Sequence, residues 1–186
     1  MSCSPFCREY WKSAAKELKK PGSIVFAALM VSLSVAVGSF FIPVGINLRI
    51  YFTFIASAAG AAVYGPVVAL IYGVAADLVG FLIHPTGAFF PGYTLSTMLS
   101  AFIFALFFYK SRITVIKVFF AKLTVNLLIN VGLGALWSSI LFGKGYYYFL
   151  AKSIVKNVLM LPFEVVILML ILNYILPTVQ NRGKFQ

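Results

Sequence analysis

Two runs of polar residues recur at helical spacing inside otherwise apolar stretches. Lys122, Asn126 and Asn130 stand four residues apart, with Gly134 and Trp137 continuing the stripe, and Ser153, Lys156, Asn157, Met160 and Glu164 form a second run. Residues three and four apart share one face of a helix, so each run is a polar stripe. Inside hydrocarbon, an ionisable group costs at least about 2.5–3.5 kcal/mol and must therefore face the bundle interior or water. At about 1.5 Å per residue, Asp77 and Glu164 lie roughly 16–20 Å from one end of their helices, with Lys122 a little shallower. At such depths Lys122 can pair with Asp77 or with Glu164. Lys156, roughly 12 Å outward of Glu164, lies nearer the opposite end and is a candidate for meeting a ligand. With Lys152, Lys144 and Arg49 on the same side and no carboxylate there, a bound anion is the simplest counter-charge. For Lys144 and Lys152, snorkelling to lipid headgroups is the alternative.

The solvent implied by these stripes is a bilayer. The chain is 186 residues long, 62% hydrophobic and only 10% charged, with a mean hydropathy of +1.00, far from the roughly 25% charged content of a soluble domain. The net charge of +11 comes from basic residues at helix ends and not from a basic surface interleaved with aromatics, which argues against nucleic acid. Cys3 and Cys7 lie in a basic, cytoplasm-like segment and are expected as free thiols, with neither metal nor cofactor implied.

The sequence predicts an all-α integral membrane protein, a compact bundle of six transmembrane helices. Residues 1–22 form a basic segment, either an amphipathic helix over Tyr10–Lys20 or a solvated flank; 23–177 form the membrane domain and 178–186 a tail. Spans are expected at about Ile24–Ile42, Ile50–Tyr64, Val67–Ile83, Tyr93–Tyr109 and Val115–Phe142, with a sixth ending near Leu176-Pro177. Gly65-Pro66 makes a tight turn, and the breaker-rich stretch from His84 to Gly92 makes a loop. One side collects Lys12, Lys16, Lys19, Lys20, Lys110, Arg112, Lys117, Arg182 and Lys184, so the positive-inside rule puts both termini in the cytoplasm.

Trp137, Phe89, Tyr93 and Tyr148 would lie near the outer cations, where a flat ring could stack on them; an interfacial aromatic belt is the alternative. His84, the sole histidine, reads as a surface or helix-ending residue. Ala28, Ser32 and Ala36 form a small-residue stripe on the first span, suited either to a partner helix or to packing within the bundle. No phosphate loop, zinc motif or nucleophilic triad is present, so the chain is not expected to be an enzyme. No inverted repeat supports a self-contained carrier.

Several stretches carry a resemblance: Arg49-Ile50-Tyr51-Phe52-Thr53, Tyr64-Gly65-Pro66, Ala76-Asp77-Leu78-Val79-Gly80, Pro85 to Leu95, Asn130-Val131-Gly132-Leu133-Gly134, Gly143-Lys144-Gly145-Tyr146 and Lys156 to Glu164. Over roughly Ser23 to Pro177 the sequence resembles the substrate-binding S components of energy-coupling-factor vitamin transporters, and within them the folate-specific FolT subfamily. The resemblance implies a six-helix subunit in a bacterial cytoplasmic membrane that closes outer loops over folate or a related pterin. It also implies docking on a membrane-embedded coupling subunit served by two cytoplasmic ATPases, with Ala28-x-x-x-Ser32 standing where the family has Ala-x-x-x-Ala. A pterin ring would suit Trp137 or Phe89 and the amides of Asn130 or Asn157, and a glutamate tail would suit Arg49, Lys152 and Lys156. The alternatives are an S component for another vitamin, or a proton-coupled carrier using Asp77 and Glu164.

Overall fold

Each apolar run ends where the sequence places a breaker, and the helices follow. The computed structural model describes residues 8–45, 48–85, 89–111, 113–143 and 145–182, with side chains described except at 41–50, 142 and 175–182. Expectations for Cys3, Cys7, Thr86, Gly87, Ala88, Arg112, Lys144 and Lys184, and for the side chains of Arg49 and Arg182, lie outside the described residues. The elements are α1 (Arg8–Glu17), α2 (Pro21–Gly38), β1 (Phe41–Gly45), β2 (Leu48–Tyr51), α3 (Phe54–Ile83), α4 (Pro91–Phe108), α5 (Val115–Thr124), a π-helical segment (Val125–Leu133), α6 (Gly134–Phe142) and α7 (Tyr146–Arg182). Pro21 and Pro91 open their helices, where a missing N–H costs nothing.

Five helical stretches among the described residues are long and apolar enough to cross a membrane. One of them, α3, is two helices. Gly65 sits at φ 81° and ψ −174°, outside helical space, and the chain turns back there. The Ser57 and Tyr72 hydroxyls lie 3.4 Å apart across the turn, and the Ser39 hydroxyl at the end of α2 meets His84 Nε2 at 2.7 Å. Residues 54–64 thus run antiparallel to 66–83, and the bundle has six membrane-embedded helical segments, as expected. His84 is exposed and ends α3, the surface or helix-ending position its sequence context suggests.

Three boundaries differ from expectation. The first span ends at Gly38 and not at Ile42, which lies in β1. Ile50 and Tyr51 belong to a strand and not to the second span: β2 pairs antiparallel with β1, Ile42 opposite Ile50 and Pro43 opposite Arg49. A short apolar run with β-branched residues fits either a strand or a helix, and here the hairpin uses it. Helix α7 also continues through Pro177 to Arg182, since one proline removes a single backbone bond near a helix end without terminating it.

The segment 54–64 sits at the centre of the bundle. Ala56, Ala58, Ala59, Ala61 and Ala62 are all buried, and small side chains let neighbouring backbones approach closely. Phe104, Phe108, Leu168 and Leu172 fill the space around them. The outer surface is apolar instead, with Leu29, Leu128, Val158, Phe163 and Leu170 exposed as lipid-facing residues should be.

Helix α1 is a helix, and its inward face packs on the protein. Tyr10 and Ala14 are buried against Tyr109, the Tyr10 hydroxyl donates to Ala105 O at 3.1 Å, and the Tyr10 and Tyr109 rings meet edge to face at 5.2 Å. Burial, with Tyr109 adding to it, pushes the Tyr10 hydroxyl up to about 12. Because the folded pKa is raised, this docking is fully present below about pH 10 and is lost as pH climbs toward 12. Proteolytic sensitivity of α1 is expected to rise across that window. In Tyr10→Phe the step should vanish, leaving a constant cost of about 0.5–1.5 kcal/mol for the lost hydrogen bond.

Candidate functional site

The π-helical segment and α7 face each other, and their polar stripes meet. Lys122 Nζ lies 3.3 Å from Glu164 Oε1, both groups being almost wholly buried, and stands 3.8 Å over the Phe54 ring. Of the two expected partners Lys122 therefore takes Glu164. Asp77 is engaged elsewhere, accepting a hydrogen bond from Thr94 Oγ1 at 2.6 Å. The ammonium is held by a carboxylate on one helix and a ring face from the short central segment, which ties three elements together.

From this pair a ladder of amides runs toward α6. Asn126 Nδ2 donates to Glu164 Oε2 at 2.9 Å, Asn130 Nδ2 donates to Asn126 Oδ1 at 2.8 Å and reaches Asn157 Oδ1 at 3.5 Å. Asn157 Nδ2 in turn donates to Ser153 O at 2.8 Å. Asn126 and Asn157 are buried, while Asn130 is exposed. The wider turn of the π-helix carries Asn126 and Asn130, and such segments often mark functional sites. The groove between this segment and α7 holds about 20 Å³ of space beside Asn126 and Asn157, enough for a water but not for an aromatic ring.

At the α6 end of the seam a second cluster forms around Trp137. Its indole N–H donates to Ser96 Oγ on α4 at 3.0 Å, the Phe90 ring meets it at 5.4 Å with the planes inclined at 63°, and Tyr93 packs on Phe90 at 5.9 Å. Gly92 makes the approach possible, since a Cβ there would lie 2.8 Å from Trp137 Cδ2. Removing the Ser96 hydroxyl is expected to loosen the indole. In Ser96→Ala the Trp137 emission should change and affinity for a stacked ligand should fall by about two- to tenfold, the worth of one hydrogen bond.

The remaining expected residues are placed as follows. Phe89 is exposed and packs on Phe81 at 5.2 Å. Tyr148 is exposed, with its ring on the adjacent Phe149. Lys152 and Lys156 are half-buried on α7, with Lys156 within the electrostatic reach of Glu164. Arg49 lies in β2, paired with Pro43 through the backbone register. Asn130 and Asn157 are thus brought together, and Trp137 and Tyr93 share the aromatic cluster. Sequence reasoning missed Ser96, Phe90 and Phe54. Their only signal is composition, a lone hydroxyl and two rings among many, and their partners come from tertiary packing. Ala28, Ser32 and Ala36 lie exposed on α2, with the Ser32 hydroxyl turned back onto Ala28 O at 3.1 Å. Of the two readings of that stripe, packing within the bundle does not hold.

An apolar exterior, a polar seam between two helices and five helices long and apolar enough to cross a membrane among the described residues define a multi-pass membrane protein. No family model matches the chain. The folate transporter FolT of Clostridium novyi (strain NT) is 32% identical over 151 residues, covering 81% of this chain and 88% of that protein. A folate transporter FolT of Leuconostoc mesenteroides subsp. mesenteroides is 29% identical over 156 residues, 80% of this chain and 83% of its own. A crystal structure of FolT bound with folic acid superposes with a TM-score of 0.75 at 32% identity, covering 81% of this chain and 92% of the other. The chain belongs to the FolT family of folate transporters.

Proposed function

We propose that this protein is the folate-capturing S component of an energy-coupling-factor importer, working in a bacterial cytoplasmic membrane with both termini in the cytoplasm. The observation that carries the reading is the backbone likeness to FolT bound with folic acid, which extends over 92% of that chain. The local chemistry agrees with it. Trp137, held by Ser96, offers a ring face to a pterin. Asn130 and Asn157 offer amides to its donor and acceptor edge. Lys152 and Lys156 carry positive charge on the same helix toward the glutamate carboxylates. Trp137 emission is expected to change on folate binding.

The chain acts in this reading as a binding and delivery subunit and not as an enzyme. ATP is hydrolysed by two cytoplasmic partners, reached through a membrane-embedded coupling subunit. The exposed Ala28, Ser32 and Ala36 face of α2 supports that docking, because small residues on an outward face let a partner helix approach closely. A carrier driven by protons through Asp77 and Glu164 finds less support, with Glu164 committed to Lys122 and Asp77 to Thr94.

Transport in proteoliposomes separates the two mechanisms. With the coupling subunit, the ATPases and ATP present, folate should accumulate, and the protein alone under a pH gradient should accumulate none. Uptake by the protein alone, driven by the gradient, would overturn the proposal.

A further inference from the structure

Between α1 and α2 the chain makes a sharp elbow that leaves two features side by side. Residues 8–20 carry five cations, Arg8, Lys12, Lys16, Lys19 and Lys20, against two carboxylates, Glu9 and Glu17. Arg8, Lys12, Lys16 and Lys19 follow helical spacing and are all exposed. Like charges four apart oppose the helix that carries them, and α1 has its other face committed to the protein through Tyr10 and Ala14. The exposed face of the helix carries these cations beside Trp11.

Directly beneath is an apolar notch of about 70 Å³ lined by Leu18, Ser23, Ile24, Ala27, Val68 and Ile71. Ile24 and Ile71 are more than half exposed, so the notch opens on the lipid-facing flank of the bundle. Lys19 and Lys20 fall between Leu18 and Ser23 in the chain, in a turn closed by Lys20 N to Glu17 O at 3.2 Å and Ser23 N to Lys20 O at 3.0 Å. They therefore stand at the rim of the notch. Glu17 offsets one of them through Lys20 Nζ at 2.8 Å and also accepts from Ser23 Oγ at 3.2 Å. Lys16 and Lys19 add the excess positive charge.

We propose that this elbow binds an anionic phospholipid, its phosphate on Lys16, Lys19 and Lys20 and a stretch of one acyl chain in the notch. Charge at the rim and an apolar slot below it match the two ends of such a lipid, and the slot faces the phase in which lipid is the solvent. A free phosphate would use the lysines but gain nothing from Ile24, Ala27 or Ile71.

Native mass spectrometry of the full chain in detergent, with equal amounts of phosphatidylglycerol and phosphatidylcholine, tests this. The phosphatidylglycerol adduct should exceed the phosphatidylcholine adduct several-fold, and K16Q/K19Q/K20Q should bring the two to parity. Ala27→Leu, which fills the notch and leaves the charges, should weaken the phosphatidylglycerol adduct, and glycerol phosphate at matched concentration should fail to displace it. Equal adducts on the parent protein would overturn the proposal, as would a preference that survives the triple substitution. Displacement by glycerol phosphate would identify a phosphate site instead and overturn the lipid assignment. Folate is absent throughout, so the outcome is independent of the substrate reading.

Discussion

Glu164→Ala is expected to be the most damaging single substitution in the membrane domain, lowering stability by about 3–5 kcal/mol. Two groups lose their partner together: Lys122, 2% exposed and 3.3 Å from the carboxylate, and Asn126, whose amide donates to its other oxygen. Leaving a buried ammonium unpaired costs far more than the pair itself contributes, because desolvating both charges nearly cancels their attraction. The double variant Lys122→Met with Glu164→Leu should consequently recover most of the loss. Thermal unfolding in detergent and the folded fraction on size exclusion measure both effects. A Glu164→Ala protein that melts like the parent would show that the pair carries no structural weight. Folate binding by the double variant reports on role. If binding is kept, the pair is an internal tie; if a folded double variant has lost it, the pair acts on the ligand.

The second large effect is expected at Gly65. Its φ of 81° with ψ near 180° belongs to a region essentially confined to glycine, where any side chain costs about 1–3 kcal/mol. A Cβ at this position would also lie 2.9 Å from the Tyr109 ring. That ring is the surface on which Tyr10 rests. Gly65→Ala should therefore do two things at once: strain the reversal between residues 64 and 66, and loosen α1. A fall in melting temperature together with faster proteolysis of α1 is the expected signature. A lower melting temperature with α1 still protected would break the inferred link through Tyr109.

The six membrane segments are legible because they depend on the lengths of apolar runs and on Gly and Pro between them, local properties that tertiary packing seldom overrides. Gly65-Pro66 illustrates this, since a reversal between two apolar runs needs a residue able to take positive φ. Ile50-Tyr51 illustrates the opposite: four residues of a short strand carry too few positions to distinguish period two from period 3.6. The polar stripes are legible through their spacing, and depth alone narrows the Lys122 partner to two carboxylates. Choosing between them requires knowing which face of 66–83 meets α4, where Thr94 takes Asp77. The π-helical turn leaves no clear trace in the sequence, and neither does the Trp137 to Ser96 contact, which joins residues 41 positions apart.

The most direct test of the proposed function is calorimetric titration of the purified protein, prepared without ligand in detergent, with folate, thiamine and riboflavin in turn, and with folate again after Lys156→Ala. The account predicts folate-selective binding that is clearly weakened by the substitution, with the carboxylate-bearing tail losing a charge partner on α7. A folded protein that binds none of folate, or binds thiamine or riboflavin as well as folate, would contradict it.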